Sequence, residues 1–177
     1  PGTSNPGSGN CGADVVRHVL TTERSHRYCL QELGAWGPGT LDAGLRLIQP
    51  RVGVVLNVRR DHYSGFRGLE HTCAEKAKVV ACLPEDGLAI LNADDAYVAS
   101  MRERTRARVL TFGRHHEADF HIENVCSAWP ERLFFDLWFR GERHRVQTQL
   151  LGEHLAGSAV AAIALAWEFG ISVEESA

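Results

Sequence analysis

Short apolar runs alternate with helical patterns along the chain as far as Phe112. Four of these runs have the length and composition of buried strands: Arg27 to Glu32, Val52 to Leu56, Leu88 to Leu91 and Arg108 to Phe112. Each of the first three is followed by a turn and a segment with helical periodicity. Strand–helix alternation favours a parallel sheet that is covered by helices on both faces. The sequence therefore predicts an α/β fold.

The pattern changes after Phe112. Three runs joined by short turns, Phe120 to Val125, Leu133 to Phe139 and Arg143 to Leu150, predict an antiparallel meander at the edge of the sheet. The almost wholly apolar segment Leu155 to Phe169 predicts a buried helix, and another helix begins near Ser172. We expect one three-layer domain over residues 1–177, with a mainly parallel sheet flanked by helices and an antiparallel β extension.

Composition excludes several classes of protein. The 177 residues are 44% hydrophobic and 23% charged, which is typical of a soluble globular domain. The net charge of -3 gives no basic field for nucleic acid or an anionic membrane. The polar, Gly/Pro-rich start lacks the pattern of a secretory signal, and five cysteines without CxxC spacing indicate reduced, buried thiols. We therefore expect a cytoplasmic protein.

Polar residues follow the predicted parallel strands. In open parallel sheets, ligands bind beyond the carboxyl ends of the strands. Glu32, Asn57 and Asn92 stand at such ends, and the pairs Asp61-His62 and Asp94-Asp95 come just after them. Asn92 and the Asp94-Asp95 pair either cap the next helix or reach a ligand. The sequence predicts a polar rim there, and we interpret His115, His116, His121 and His144 as surface residues.

Glu32 and His62 could form a cation site on this rim. A carboxylate and an imidazole on neighbouring strand ends would hold a hard cation if water or a third oxygen ligand completed the set. The alternative is a capping carboxylate and a loop histidine without a metal. The spacing alone favours neither.

Lys76 occupies an unusual position on the predicted helix that starts near Leu69. At about 100° per residue, Leu69, Cys73, Val80 and Leu83 all fall within roughly 60° of Lys76. Lys78 falls on the opposite face, so we expect Lys76 to face the protein and Lys78 to face water. Burial disfavours the charged ammonium form of a lysine and so favours the neutral amine. A neutral amine can react with carbon dioxide to form an anionic carbamate. Alternatively, Lys76 extends from a half-buried position to a surface carboxylate.

The first twelve residues, PGTSNPGSGNCG, form a Gly-rich loop before a predicted helix over about Ala13 to Thr21. Such loops bind phosphates through backbone N–H groups and the helix N-terminus. A phosphate loop also needs a lysine that reaches the β- and γ-phosphates, and this loop has none. Residues 1–12 are therefore either a degenerate phosphate loop or a flexible terminus.

Taken together, these runs resemble the central domain of the Mur ligase family, which includes peptidoglycan precursor ligases, folylpolyglutamate synthetase and cyanophycin synthetase. The resemblance covers the chain from about Arg27 onwards and rests on the order of five segments: QELGAWGPGTL, NVRRDHYSGFRGLE, AEKAKVVACLPEDGLAILNADD, VLTFG and LLGEHLAGSAVAAIALAWEFGIS. It implies a P-loop NTPase-like fold and an ATP-dependent ligase, in which an amine attacks an acyl phosphate made from a small-molecule acid.

The resemblance also implies roles for individual residues. Glu32 and His62 match the family's magnesium ligands, and Lys76 matches its carbamylated lysine. Lys76 and His62 would thus act in catalysis, with ATP and Mg²⁺ as cofactors. The nucleotide side would involve Gly2, Thr3, Ser4, Asn92 and His154.

The chain departs from the family on the nucleotide side. GTSNPGSGN replaces the family's GTxGK[ST], and His154 to Ser158 replaces HNxxN without either asparagine. The stretch from the loop to Glu32 is shorter than the family's, and the flanking N- and C-terminal domains, or a partner protein, would have to be supplied separately.

Three hypotheses follow. The first is the central domain of a Mur-type ligase, inactive alone and weak in ATP binding. The second is a binding or scaffold module that keeps the fold but has lost ATP chemistry. The third is a metal-dependent hydrolase built on the carbamate.

Overall fold

The computed structural model of the chain describes residues 1–5, 9–60 and 65–177. The helices are α1 (Gly12–Thr21), α2 (Asp42–Ile48), α3 (Leu69–Ala81), α4 (Ala96–Ser100), α5 (Ala156–Glu168) and α6 (Val173–Ser176). The strands are β1 (Gly2–Ser4), β2 (Tyr28–Leu30), β3 (Val52–Val55), β4 (Leu88–Asn92), β5 (Arg108–Gly113), β6 (Phe120–Cys126), β7 (Phe134–Phe139) and β8 (Glu142–Gln147).

Six of these strands form one mixed sheet in the order β3-β4-β5-β6-β7-β8. The pairs β3–β4, β4–β5 and β5–β6 are parallel, and β6–β7 and β7–β8 are antiparallel. β1 and β2 pair in parallel as a separate two-stranded sheet. The predicted α/β fold, with a mainly parallel sheet and an antiparallel extension, is confirmed.

Helices cover the large sheet on both faces because side chains alternate along its strands. In β4, Leu88 and Ile90 belong to the core cluster beneath α5, which includes Val160. Ala89 and Leu91 belong to a second cluster, beneath α3 and α4. These are the three layers that the alternating strands and helices predict.

A short helix and a 3₁₀ turn follow β4. Asp95 is the N-cap of α4 and accepts bonds from the backbone N–H groups of Tyr97 and Val98, after which a 3₁₀ turn continues through Met101–Arg104. Val98 and Met101 are buried in the cluster beneath α3. These two apolar residues attach the short element to the core.

Two further expectations differ from the structure. Residues 2–4 are a strand paired with β2 rather than part of a loop. The five cysteines are unpaired, but three are exposed and two half-buried, so the prediction of buried thiols was wrong. Across the described ranges, no helix is both long and apolar enough to span a bilayer.

Candidate functional site

A cavity of about 370 Å³ opens beyond the carboxyl ends of the parallel strands. Residues that follow β3, β4 and β5 line one side of it, and the start of α5 lines the other. Its lining comprises Asn57, Arg59, Asn92, Asp94, Asp95, Ala96, Arg114, Ile122, Glu153, His154, Ala156 and Gly157. Small-molecule sites have volumes of this order. Four residues of the predicted polar rim thus line a cavity, namely Asn57, Asn92, Asp94 and Asp95.

Asn92 joins the ends of two strands at this cavity. Its side-chain Nδ2 donates to Leu56 O at 2.8 Å, and its Oδ1 accepts from the Asp94 N–H at 2.9 Å. The residue therefore fixes the backbone after β3 and the turn after β4. Both polar atoms of the Asn92 side chain thus bond the backbone that forms the cavity wall.

The two neighbouring aspartates also bind backbone. Asp94 Oδ1 accepts from the N–H groups of Arg114 at 2.8 Å and His115 at 2.9 Å. Asp95 Oδ2 accepts from the Val58 N–H at 2.8 Å, while its Oδ1 caps α4. Of the two alternatives for this pair, helix capping or ligand contact, Asp95 caps a helix. Asp94 instead holds the loop after β5 against the cavity.

His154 lies on the opposite wall, in the 3₁₀ turn Glu153–Leu155 that precedes α5. Its exposed ring lies against Gly152, where φ is +102° and an added Cβ would come within 2.5 Å of the ring. Among these residues Glu153 pairs with Arg114 at 3.4 Å across the cavity mouth. The cavity therefore carries both signs of charge, with Arg59 and Arg114 as its cations.

Lys76 reaches the backbone behind this cavity. Its half-buried Nζ donates to Asn57 O at 2.8 Å, and the Asn57 residue lines the cavity. The side chain thus turns towards the strand ends, as its helical position suggested.

Lys78 lies at the surface and is ion-paired there. Its Nζ lies 2.6 Å from Asp42 Oδ1 and 2.8 Å from Glu75 Oε2, and its side chain is 37% exposed. Glu75, 3% exposed, also accepts the N–H groups of Gly39 and Leu41, each at 2.8 Å. The exposure of Lys78 agrees with its predicted position, but its ion pairs were not predicted, because they depend on the segment Gly39 to Asp42, which hydropathy along α3 cannot reveal.

Glu32 contacts the N-terminal segment rather than the cavity. Its Oε1 accepts from Asn10 Nδ2 at 2.7 Å, and its N–H donates to Asn5 Oδ1 at 2.9 Å. Glu32 is exposed and is not among the residues that line the cavity. His62, its predicted partner, lies outside the described residues.

Gly2, Thr3 and Ser4 also lie apart from the cavity lining. An added Cβ on Gly2 would come within about 2.0 Å of the Tyr28 ring, so this glycine permits close packing of β1 on β2. Thr3 Oγ1 lies 3.2 Å from the Nε2 atom of buried His18. These contacts belong to the packing of β1, β2 and α1.

Several cavity residues escaped sequence reasoning, namely Arg59, Arg114 and Glu153. Arg59 and Arg114 each come shortly after a strand, which is the same signal that identified Asn57 and Asn92. Their side chains were overlooked because arginine is common in exposed loops.

Comparison with known proteins agrees with this architecture. A family described as the Mur ligase middle domain matches residues 13–166. The chain is 33% identical over 172 residues to the UDP-N-acetylmuramoyl-tripeptide--D-alanyl-D-alanine ligase of Mycobacterium tuberculosis, a match that covers 97% of this chain and 34% of that protein. It is 31% identical over 117 residues to a UDP-N-acetylmuramoyl-L-alanyl-D-glutamate--2,6-diaminopimelate ligase of Chlamydia trachomatis, covering 66% of this chain and 24% of that protein.

Solved structures extend the likeness to three dimensions. MurF from Acinetobacter baumannii superposes with a TM-score of 0.90 at 27% identity, covering 99% of this chain and 38% of that one. The chain thus spans about a third of the length of the relatives it matches. With a family match over most of its length and a shared fold, the chain belongs to the Mur ligase middle domain family.

Proposed function

We propose that this chain is the central domain of an ATP-dependent ligase that joins a small carboxylic acid to an amine, acting with further domains. The observation that carries the proposal is the polar cavity beyond β3, β4 and β5 in a chain of this family. Relatives in the family are named as ligases of UDP-N-acetylmuramoyl peptides. We infer that the acid substrate belongs to the same peptidoglycan-precursor class.

The cavity supports a nucleotide as its occupant. Its amide and carboxylate side chains can bond a base or a ribose, and the exposed arginines Arg59 and Arg114 add only a weak, solvent-screened attraction for phosphate charge. A MurF ligase from Thermotoga maritima with this fold, 17% identical, was solved in complex with ADP. ATP would supply the phosphoryl group that activates the carboxylate.

The N-terminal segment does not fit a phosphate cradle. The sequence contains two lysines, Lys76 and Lys78, so none precedes α1. The Asn5 side chain bonds Gly9 O and the Glu32 N–H, and the Asn10 side chain bonds the Glu32 carboxylate. Because the segment has no lysine and its Asn5 and Asn10 side chains bond protein atoms, we assign no phosphate to it.

The donor set for magnesium fits the metal. Glu32 offers a carboxylate, and a carbamate on Lys76 would offer two more oxygens, the ligand type that Mg²⁺ prefers. The bound ion would stabilise charge on transferring phosphoryl oxygens. In this proposal Glu32 would exchange its bond with Asn10 for the cation, which it would hold together with Lys76, and Lys76 would keep its bond to Asn57 O. His62, from outside the described ranges, would be the third ligand.

A reducing compartment suits the exposed, unpaired thiols of Cys11, Cys29 and Cys82. It is also where ATP is available. We therefore propose the cytoplasm as the location.

A second candidate function is a binding module without ATP chemistry. The bonds from Asn5 and Asn10 to Glu32, in a segment without lysine, favour it. The two candidates differ in whether the cavity binds nucleotide.

Calorimetric titration of the chain with MgATP tests the proposal. We expect weak binding, with a dissociation constant of the order of millimolar. His154→Ala should weaken this binding further. His116→Ala changes an exposed histidine outside the cavity lining and should leave the affinity unchanged. If His154→Ala binds MgATP as tightly as the wild type, the cavity is not the nucleotide site. Micromolar affinity for MgATP would contradict the interpretation of residues 1–12 as a degenerate phosphate loop.

A further inference from the structure

Glu142, His144 and Glu174 bring three potential metal ligands together at the far edge of the sheet. Glu142 and His144 stand two residues apart in β8 and therefore on the same face of the strand. Glu174 comes from α6. One ligand atom from each lies within 4.8 Å of the others, and none of the three residues lines the candidate cavity.

One pair of ligand atoms has the spacing of a coordinated site. Metal–ligand bonds of about 2.0–2.2 Å place the ligand atoms of a tetrahedral zinc site roughly 3.3 Å apart. His144 Nδ1 lies 3.1 Å from Glu174 Oε1, close to that spacing. The Glu142 carboxylate lies 4.0 Å from the other ring nitrogen, Nε2, so it must rotate to the Nδ1 side to bind the same ion. The Glu142 side chain is 77% exposed and has room for this rotation.

The surrounding structure holds the histidine and the first turn of α6. The His144 side chain is only 11% exposed, and its residue pairs with buried Leu137 across the sheet. Ser172 and Glu175 form a capping box at the start of α6, and Val173 packs into the core. The ligands therefore stand on two elements whose backbones are fixed relative to one core.

We propose that Glu142, His144 and Glu174 bind a divalent transition metal of the Zn²⁺ class, and that the metal fastens α6 to β8. An imidazole nitrogen with two carboxylates suits Zn²⁺ rather than Mg²⁺ or Ca²⁺, which prefer oxygen alone. Two carboxylates balance the charge of the ion. With three protein ligands, a water molecule would occupy the fourth position.

Titration of the whole chain with ZnCl₂ in excess MgCl₂ tests this site by calorimetry. Exposed thiols and other histidines can also bind Zn²⁺, so the comparison between variants carries the test. His144→Gln should remove one equivalent of bound Zn²⁺, or weaken it at least about tenfold. His116→Gln makes the same chemical change outside the site and should leave the titration as in the wild type.

Glu174→Gln provides a second variant whose folding is secure, because that side chain is 65% exposed. Glu174→Gln should also lose one equivalent of bound Zn²⁺. The rise in Tm that Zn²⁺ causes should be smaller in His144→Gln and Glu174→Gln than in the wild type. The proposal is overturned if the wild-type chain binds no Zn²⁺. It is equally overturned if His144→Gln and Glu174→Gln titrate like His116→Gln, because the ion would then sit elsewhere.

Discussion

At the scale of single residues, the two lysines of the chain bond different protein groups. Lys76 Nζ donates to a backbone carbonyl, Asn57 O, whereas Lys78 Nζ lies between two carboxylates. The hydrogen bonds from Lys78 to Asp42 and Glu75 raise the pKa of Lys78 and keep it protonated. A carbamate forms when an unprotonated amine attacks CO₂, which creates an N–C bond and releases one proton to solvent. The remaining N–H could still donate to Asn57 O.

Because the ion pairs of Lys78 keep its amine protonated, we predict that the lysine carbamate of this chain forms on Lys76. In ¹³C NMR with labelled bicarbonate, its signal should disappear in Lys76→Arg and persist in Lys78→Arg, two variants that make the same conservative change. The N-terminal amine gives a separate signal that neither variant alters. A lysine signal that depends on Lys78 instead, or none at saturating bicarbonate, contradicts the assignment.

Gly113 shows how one residue shapes the cavity wall. Its φ of +148° disfavours any side chain, and an added Cβ would lie 2.6 Å from Asp94 Oδ1. Asp94 holds the loop after β5, so Gly113→Ala combines backbone strain with displacement of that carboxylate. We expect a loss of about 3 kcal/mol in the free energy of unfolding.

Gly170→Ala is the control for Gly113→Ala. Gly170 has a φ of +83° but nothing within 4 Å of an added Cβ, so only strain of about 1 kcal/mol is expected. Equal losses in urea denaturation of the two variants would mean that the contact with Asp94 contributes nothing.

At the scale of elements, a buried carboxylate ties α3 to the segment before α2. Burial raises the pKa of Glu75, but bonds from Lys78 and from the N–H groups of Leu41 and Gly39 lower it more, so the pKa lies below its usual range. Glu75→Gln removes the charge from this cluster. We expect a loss of about 2 kcal/mol and faster hydrogen exchange at the Gly39 and Leu41 amides.

Glu85→Gln serves as the comparison for Glu75→Gln, since Glu85 is 75% exposed and pairs with an exposed arginine, Arg106. It should change neither exchange nor stability appreciably. If Gly39 and Leu41 exchange at wild-type rates in Glu75→Gln, the tie between α3 and this segment is not the one described.

The elements also show what the sequence could and could not predict. The strand–helix alternation predicted the parallel sheet, because strand length, apolar content and turns are local properties. The polar rim followed from topology, since parallel strands end on the same side. The environment of Lys78 and the burial of Met101 did not follow, because both depend on contacts between segments distant in sequence, such as Asp42 with Lys78.

The predicted site residues fall into two groups, those that lie at the cavity and those that contact the N-terminal segment. Asn92 and His154, which the resemblance assigns to the nucleotide side, line the cavity, and Lys76 Nζ bonds Asn57 O at its wall. Gly2 to Ser4 and Glu32 contact the N-terminal packing instead. The missing lysine was visible in the sequence, but the bonds that Asn5 and Asn10 make to Glu32 required the structure. The roles of the predicted site residues in binding nucleotide or metal stay predictions.

At the scale of the whole molecule, buried charge couples stability to pH. Asp136 is 1% exposed on the antiparallel extension and bonds Asn124, Arg145 and Arg143. The bond from Asn124 lowers its pKa; burial opposes this, and the two arginines lower it further, so the pKa lies below the ordinary 3.8. The unfolded chain thus binds the proton more tightly, and the stability from this group is present above about pH 4 and lost as the pH falls through its folded value.

We expect Asp136→Asn to destabilise the chain by about 3 kcal/mol at pH 7 and to flatten the acid limb of its stability curve, measured by urea denaturation from pH 3 to 7. Asp86→Asn changes an exposed aspartate paired with Arg51 and should have little effect on either quantity. An unchanged acid limb in Asp136→Asn would assign the pH dependence to other carboxylates.

The relatives are about three times as long as this chain. We propose that the cavity binds the nucleoside portion of ATP and that the N-terminal segment contributes no phosphate site. A comparison of adenosine, ADP and MgATP affinities for the chain tests it most directly. We predict that all three bind within about tenfold of one another, with affinities that weaken in His154→Ala. MgATP binding about a hundredfold or more tighter than adenosine, a difference near 2.8 kcal/mol, would show a working phosphate site and contradict the account, as would the absence of adenosine binding.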